Sequence, residues 1–314
     1  ANPTIPDERP GVLAQFFLAR VFPAGLLRMN VPLLTVAIVL GVLLALFLVE
    51  KFFPLRESRS GLLARLVVNA SISLLAFAAA AAVVKPTAMR TLGWASDRPF
   101  GLLNLVDWPG WVEATIGFLL LDLSFYYWHL VNHRVPLLWR FHNVHHMDPD
   151  LDVSSAFRFH FGEVLFSAGF RFVQVSAIGM SFGTYAAFEL VFQANTLFHH
   201  SNWRLPIRLE RWLNRVLVTP RMHGIHHSQV QGETNSNYGV VFPWWDRLHR
   251  TLGLNIPQAA ISIGVPAYSL PSDNTLWRTL TLPFVRQRDY WRKPDGNVPE
   301  RRPTTDRRPT ELAE

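Results

Sequence analysis

All twelve histidines of the chain lie in one stretch, between His129 and His249. Eight of them form three clusters: His129 and His133, then His142, His145 and His146, then His223, His226 and His227. The spacings are i, i+4 in the first cluster and i, i+3, i+4 in the other two, so on a helix each cluster places its rings on one face. Neutral imidazole binds iron, copper, nickel and zinc. Eight rings exceed the needs of one ion, and the pattern therefore predicts a centre of two metal ions.

Carboxylates should accompany these rings, because neutral ligands leave the charge of two ions unbalanced and need partners for their second N–H. Asp122, seven residues before His129 and on about the same helical face, is the first candidate, followed by Glu163 and Asp246. For Asp246, a salt bridge with Arg247 or another cation is the favoured alternative. The chain has no cysteine, which excludes disulfides, thiolate ligands and an iron–sulfur cluster within it.

The composition indicates a membrane protein, with 49% hydrophobic and 17% charged residues. Two uncharged stretches of nineteen residues, 31–49 and 66–84, match the roughly 20 residues that cross a bilayer as a helix. We expect spans at about 31–53 and 62–84, within an N-terminal membrane region of residues 1–110.

The histidine-bearing region, residues 111–255, should add one span and a membrane hairpin. The stretch 111–128 is apolar but contains Glu113 and Asp122, and 164–198 is long enough for two helices if the chain reverses near Gly179 to Gly183. The predicted fold is therefore an all-α, multi-pass membrane helical bundle with a histidine-rich, two-metal cap.

The side of the membrane follows from the linker 50–65, whose basic residues are Lys51, Arg56, Arg59 and Arg65. The positive-inside rule places this linker in the cytoplasm. The loop 85–110 then lies outside, the third span returns to the cytoplasm, and every histidine falls near the cytoplasmic face. The first ten residues lack the order of a cleavable signal, so the helices would direct insertion. We expect an integral protein of a bacterial inner membrane.

Residues 207–218, IRLERWLNRVLV, are predicted to form an interfacial helix. Its apolar stripe consists of Leu209, Trp212, Leu213, Val216 and Leu217. A helix packed on its own domain has the same periodicity and stays an alternative. The last region, 256–314, is predicted to be cytoplasmic and disordered after about residue 292, where it becomes Pro-rich and charged.

From about Asp122 to Thr251, the sequence resembles the fatty acid hydroxylase and sterol desaturase superfamily of membrane histidine-box di-iron oxygenases. The resemblance is carried by an ordered set of motifs: DLSFYYWHLVNH, LWRFHNVHH, RFHFGE, FHHSN, TPRMHGIHH, NSNYG and WWDRL. The order of several motifs is specific, whereas any one of them alone is not.

The resemblance implies ten metal ligands: His129, His133, His142, His145, His146, His160, His200, His223, His226 and His227. His160 and His200 are the weaker members of this set, and His199 is expected to be a neighbour that binds no metal. His249 and Arg250 depart from the family pattern and are not expected to bind metal. Leu130, Phe161 and Asn235 also depart from it, which weakens any inference about the substrate.

The resemblance further implies two iron ions, with zinc as an alternative occupant after purification, and O₂ as co-substrate for hydroxylation of a membrane lipid. A sterol, a fatty acyl lipid, an ether lipid and a carotenoid all stay open. The chain lacks a dinucleotide fingerprint and a haem-domain motif, so a separate donor is implied, either a cytochrome b5-like protein or a ferredoxin with its reductase. Scattered basic residues do not indicate nucleic acid. A surface with Arg204, Arg208, Arg211, Arg215 and Arg221 suits either an acidic donor or anionic lipid, and lipid is the simpler interpretation.

Three other functions fit parts of the pattern. A lipid or sterol desaturase would use the same site, since hydroxylation and desaturation diverge after the first hydrogen abstraction. A zinc hydrolase is disfavoured because the chain has no HExxH element and more histidines than an open zinc site needs. A non-enzymatic membrane metal or haem protein is the alternative from a different class.

Overall fold

The computed structural model describes residues 31–98 and 100–301, without the side chains of residues 31–35. Throughout this part of the chain the regular elements are helices, and strand pairing is limited to two isolated bridges, Pro54 with Trp203 and Ser228 with Ile263. The prediction of an all-α fold is confirmed. The longer helices are α1 (Val31–Phe52), α2 (Leu62–Ser96), α3 (Gly110–Arg134), α4 (Pro136–His146), α5 (Phe161–Ile178) and α6 (Phe182–His200).

Shorter helices follow in the second half of the chain. They are α7 (Ile207–Leu213), α8 (Pro220–His226), α9 (Gln231–Thr234), α10 (Trp244–His249) and α11 (Leu276–Thr281). Helix α7 ends five residues before the predicted end of the interfacial helix, and the chain turns toward Pro220, the first residue of α8.

Three described helices are long and apolar enough to cross a membrane: α2, α3 and α5. They support the predicted multi-pass membrane architecture. The first predicted span coincides with α1. The crossing of the membrane by α1 stays a prediction.

Helix α2 is longer than the predicted span, which was expected to end at residue 84. The structure continues it through a π-helical turn, Ala80–Val84, into Lys85–Ser96. Pro86 lacks an N–H and its ring crowds the preceding turn, and the wider π turn immediately before it accommodates this ring. The predicted outer loop, 85–110, is therefore helical in its first half.

The chain reverses between α5 and α6 at the predicted position. Gly179 ends α5 in the left-handed conformation, with φ 70°, and Ser181 caps the start of α6 by accepting a hydrogen bond from the Thr184 N–H. Glu113, in the first turn of α3, accepts hydrogen bonds from the Ser181 N–H at 2.9 Å and from the Thr184 hydroxyl. These contacts fix α3, α5 and α6 to one another at the end opposite the histidines.

The core of the bundle lies between α3, α5 and α6 and includes Leu121, Phe125, Val175 and Phe188. The C-terminal segment packs over the start of α4, where the Trp139 and Trp291 rings stack with centroids 5.8 Å apart. The structure describes the predicted disordered tail as far as Arg301, whose guanidinium pairs with Glu233 at 2.7 Å. Residues 302–314 and the N-terminal residues 1–30 lie outside the described part.

Candidate metal centre

Nine histidines meet in two groups, and in each group the candidate ligand atoms lie within 4.8 Å of one another. Group 1 consists of His129, His133, His142, His146 and His226, from α3, α4 and α8. Group 2 consists of His145, His200, His223 and His227, from α4, from the end of α6, and from α8 and the residue after it. The groups are adjacent, since the rings of His146 and His227 stack with centroids 4.3 Å apart.

Each triple of histidines is divided between the two groups. On α4, the i and i+4 rings of His142 and His146 enter group 1, and the i+3 ring of His145 enters group 2. On α8 the assignment is reversed, because His223 and His227 enter group 2 and His226 enters group 1. Successive helical residues are about 100° apart, so an i+3 ring lies to one side of the i, i+4 pair. The repeated spacing thus allows two helices to serve both groups.

The nitrogens of group 2 are spaced as ligands of one ion are. The Nε2 atoms lie 3.1 Å apart between His145 and His200, 3.0 Å between His200 and His223, and 3.1 Å between His223 and His227. Two nitrogens, each about 2.0–2.1 Å from a shared ion, are roughly 2.8–3.4 Å apart, depending on the angle. The observed distances therefore fit a metal ion.

Hydrogen bonds alone do not satisfy these four rings. A neutral imidazole has one N–H, and His200 uses its own to donate from Nδ1 to the Thr196 carbonyl at 2.8 Å, which leaves its Nε2 bare. A ring nitrogen that donates to one neighbour cannot accept from the next, so three successive N···N contacts cannot all be hydrogen bonds. A shared cation resolves the conflict, because each bare nitrogen then donates a lone pair to it.

Group 1 leaves buried nitrogens without a protein partner. These are Nε2 of His142, His146 and His226, and both ring nitrogens of His133. In three of the rings the other nitrogen is held: Nδ1 of His142 lies 2.9 Å from Glu163 Oε1, that of His226 lies 2.6 Å from the Ser236 carbonyl, and that of His129 lies 2.9 Å from the Tyr238 carbonyl. An acceptor at Nδ1 fixes the tautomer and leaves Nε2 for a metal.

Burial keeps the rings in the form that binds metal. Desolvation lowers the pKa of His145, His146, His223 and His227 well below the ordinary value of 6.5, and neighbouring rings lower it further. The same cause lowers the pKa of His200 to about 3. These rings are neutral at physiological pH, as a ligand must be.

The loop 236–239 supplies two of the carbonyls that hold group 1. Between Ser236 and Tyr238, Asn237 adopts a left-handed conformation with φ 56°, and its side chain bonds to Met222 and Gly253. Asp246 anchors this loop by accepting hydrogen bonds from the Tyr238 and Gly239 N–H groups, each at 2.8 Å. Its carboxylate therefore positions His129 through the backbone, a role that histidine spacing alone does not reveal.

The two leading carboxylate predictions differ in outcome. Glu163 contacts a ring N–H, that of His142, as expected of an orienting carboxylate. Asp122 instead accepts from the Val241 and Phe242 N–H groups at 3.1 Å and from the Trp245 indole N–H at 2.8 Å. The physical reason is that the loop 241–245 approaches α3 at this level and needs acceptors for its backbone.

Asp246 also departs from its favoured alternative, the salt bridge. Its carboxylate accepts backbone N–H groups and the Thr251 hydroxyl. The Arg247 guanidinium donates instead to the Asn214 carbonyl at 2.6 Å. Burial raises the pKa of Asp246, and the hydrogen bonds from Thr251, Gly239 and Tyr238 offset only part of that rise.

Three histidines lie outside both groups. His160 was implied as a ligand, but its Nδ1 accepts from the Gly162 N–H at 3.0 Å, so its Nε2–H donates to the Leu280 carbonyl at 3.1 Å. It therefore caps α5. His199 lies beside group 2, with its ring centroid 4.1 Å from that of His223, as expected of a neighbour. His249 bonds to the Tyr127 hydroxyl and the Trp245 carbonyl.

Sequence reasoning did not assign a role to Arg158, which is completely buried. Its Nε–H donates to the Val144 carbonyl at 3.1 Å, one residue before His145, and its guanidinium lies 3.6 Å from Asp148. Arg65, at the start of α2, pairs with Asp148 at 3.2 Å and also with Asp152. This buried network joins α2 to the end of α4, and its only sequence signal was the arginine of the RFHFGE motif.

Comparison with known proteins bears on the same region. The family profile described as fatty acid hydroxylase matches residues 114–251. Ornithine lipid hydroxylase OlsE of Rhizobium tropici is 30% identical over 159 residues, which cover 51% of this chain and 47% of that protein. Human cholesterol 25-hydroxylase is 33% identical over 140 residues, covering 43% of this chain and 48% of that protein.

Alkylglycerol monooxygenase of Xenopus tropicalis is 28% identical over 145 residues, covering 46% of this chain and 30% of that protein. The matched part thus spans half or less of the length of these curated relatives. No solved structure matches the chain significantly. The profile covers every histidine of both groups. The predicted resemblance is confirmed, since residues 114–251 match the fatty acid hydroxylase family.

Proposed function

We propose that this protein is an O₂-dependent hydroxylase of a membrane lipid, with two iron ions held by group 1 and group 2. The balanced reaction is R–H + O₂ + 2e⁻ + 2H⁺ → R–OH + H₂O. The observation that carries the proposal is the convergence of nine histidines, seven of them buried and two half-buried, into two adjacent groups at the ends of the bundle helices. Soft and neutral nitrogen donors suit iron, and two adjacent sites suit chemistry that one ion does not perform alone.

The chain's own part is to hold, orient and desolvate the centre. Glu163 and the carbonyls of Ser236 and Tyr238 fix the tautomers in group 1, and the Thr196 carbonyl does so in group 2. Two ferrous ions, when bound, would supply an oxidant that abstracts hydrogen from an unactivated C–H bond. Burial of the surrounding rings excludes bulk water, which protects such an oxidant from side reactions.

A lipid substrate follows from the setting of the site and from the relatives. The groups lie at the end of helices α3 and α5, both long and apolar enough to cross a membrane. The relatives are hydroxylases or monooxygenases of ornithine lipid, cholesterol and alkylglycerol. What these substrates share is a long apolar body with a polar group, and we propose a lipid of this kind for the present chain.

Electrons would come from a separate donor, such as a cytochrome b5-like protein or a ferredoxin with its reductase. We also propose the cytoplasmic face of a bacterial inner membrane for the site. Contacts of the linker 50–65 support placing it on the same side of the membrane as the histidine groups. Asp150 accepts the Arg59 N–H at 2.7 Å, and Arg56 donates to Gln258 at 2.6 Å. Arg56 and Arg65 are buried in internal contacts, so the positive-inside argument depends mainly on Lys51 and Arg59.

The proposal is tested first by metal content. Protein purified from membranes without chelator should contain about two irons per chain, and H145A and H226A should each reduce that content. The matched control is H249Q, which alters a histidine outside both groups. A content that does not scale with the chain, or that falls equally in H249Q, would contradict the two-metal assignment.

Product analysis with ¹⁸O₂ and a reductant then separates the reactions. A hydroxylase incorporates one labelled oxygen into the lipid, whereas a desaturase removes two hydrogens and incorporates none. Zinc in place of iron would leave the metal sites but not the redox chemistry. The haem alternative fits group 2 poorly, because two axial nitrogens would be about 4 Å apart with a porphyrin between them, and the observed spacing is 3.0–3.1 Å.

A further inference from the structure

Helix α7, the turn that follows it and helix α10 expose several apolar side chains and bury a polar one. The exposed fractions are 44% for Leu209, 59% for Trp212, 43% for Val216, 39% for Trp244 and 70% for Leu248. Glu210, within the same turn of α7, is 3% exposed and pairs with Arg221. Arg208, Arg215 and Arg247 of the same segments are exposed as well, so the outward surface combines large apolar side chains with basic ones, as helices in a lipid interface do.

The two helices form one surface, which we call the α7–α10 face. The indole N–H of Trp244 donates to the Arg215 carbonyl at 2.7 Å. The guanidinium of Arg247 donates to the Asn214 carbonyl at 2.6 Å. The start of α10 is therefore held against the turn that follows α7, and Trp244 bonds to the residue before Val216.

The depth of the α7–α10 face follows from the loop 240–245 that leads into α10. Asp122, which accepts three hydrogen bonds from this loop, is the midpoint of α3, twelve residues from Gly110 and from Arg134. At 1.5 Å per residue, it lies about 18 Å from either helix end. If α3 crosses the membrane, the loop lies within the bilayer.

Aromatic contacts place the exposed side of the α7–α10 face at the same depth. Phe242 lies against Phe118 of α3, with ring centroids 5.9 Å apart. Trp244 stacks on Phe242 at 4.3 Å. Phe118 is eight residues into α3, so this chain of rings runs from the interior of the bundle to a surface at the level of the apolar half of that helix.

The polar groups of the loop are satisfied as membrane depth requires. Irregular backbone in a bilayer must find its hydrogen-bond partners within the protein. The Asp122 carboxylate accepts the Val241 and Phe242 N–H groups, the Val218 N–H donates to the Val241 carbonyl at 2.9 Å, and Asn195 donates to the Val240 carbonyl at 2.6 Å. These hydrogen bonds explain why an aspartate lies in the middle of a helix that is apolar enough to span a membrane.

We propose that residues 207–249 enter the membrane leaflet on the histidine side, and that the α7–α10 face contacts lipid acyl chains. The occupant is the bilayer itself, because a surface at this depth has no access to water. Arg208, in the first turn of α7, and Arg250, which follows α10, are exposed, and long basic side chains of this kind can reach lipid phosphates. The histidine groups are then set partly into the leaflet, beside the lipids, instead of standing above it.

The absence of cysteine allows a background-free test by site-directed spin labelling. Labels are placed in the full chain as L248C and V216C, in vesicles of phosphatidylethanolamine and phosphatidylglycerol. L74C, on α2 at a side chain that is 69% exposed, is the lipid reference, and E300C, in the charged C-terminal segment, is the water reference. Power saturation compares collisions with apolar O₂ and with a water-soluble nickel chelate.

The expected ratio of O₂ to nickel accessibility at L248C and V216C equals that of L74C. A ratio equal to that of E300C would overturn the inference. Low accessibility to both reagents would also overturn it, since the face would then be covered by protein. Each labelled variant must elute at the volume of the parent and keep its metal content, so a misfolded variant is recognised before it is measured.

Discussion

Replacing Glu163 with glutamine should weaken metal binding at group 1 and leave group 2 intact. Glu163 is 5% exposed, and its Oε1 lies 2.9 Å from Nδ1 of His142. E163Q keeps an acceptor of the same length but removes the charge that strengthens this hydrogen bond. Loss of such an outer partner costs about 10- to 100-fold in metal affinity, equivalent to about 1.4–2.7 kcal/mol.

The assay is a titration of the purified protein with a competing chelator, followed by metal analysis per chain. Both ions should leave the parent at high chelator, whereas E163Q should lose one ion at a chelator concentration about 10- to 100-fold lower. The second ion should leave at the parental concentration, because Glu163 bonds to His142 of group 1 and is not among the hydrogen-bond partners of the group 2 rings in the described chain.

D122N is the matched control, since Asp122 is a buried carboxylate of the same bundle that accepts from a loop and not from a ring. It should lower the midpoint of thermal unfolding without selective loss of one ion. If E163Q titrates like the parent, or if D122N loses one ion selectively, the roles assigned to these two carboxylates are wrong.

Three further predictions concern stability. R65A leaves buried Asp152 without its cation and Asp148 with Arg158 alone, and it should cost about 3–5 kcal/mol, measured as a lower midpoint of thermal unfolding. R292A, which breaks an ion pair whose side chains are 54% and 61% exposed, should change the midpoint little. D246N should cost about 1–3 kcal/mol and reduce metal at group 1, because the anchor of the Tyr238 carbonyl is weakened; unchanged stability would contradict this. Burial lowers the folded-state pKa of the group 2 rings, so the unfolded chain binds protons first as the pH falls below 6.5. The free energy of unfolding of the metal-free protein should therefore fall by about 1.4 kcal/mol per pH unit for each ring. A free energy of unfolding that stays constant between pH 7 and 5 would refute this prediction.

Local spacing predicted much of the candidate site. The i, i+3, i+4 pattern requires a helix, and α4 is helical over its whole triple, whereas α8 ends at His226, one residue before His227. His200 came from the resemblance, because a single ring has no spacing to read. How the triples divide between two groups depends on the packing of α4 against α8 and α6, which no local pattern contains.

The less local predictions were those that the structure changed. The separation of seven residues predicted Asp122 and His129 on one face of α3. The partner of Asp122 is instead a loop about 120 residues later in the chain. The RxH element suggested His160 as a ligand, and the start of α5 uses its ring as a cap instead. The end of α2 was predicted at residue 84, just before Lys85 and Pro86, but a π turn continues the helix past this pair.

Asp122 and Asp246 depart from their predicted partners for one physical cause, which is the need of irregular backbone for hydrogen-bond partners. Asp122 and Asp246 both accept pairs of consecutive N–H groups from residues 238–242. Asp246 holds the part of the loop that provides the Tyr238 carbonyl to His129, and Asp122 holds the part that lies against the middle of α3. Charge inside the bundle therefore stabilises the loop, and the loop in turn orients a ligand, so the spans and group 1 should fold as one cooperative unit. Lipid contact at the α7–α10 face would add to that unit from outside, because the same loop connects the exposed rings of α10 to the interior of α3.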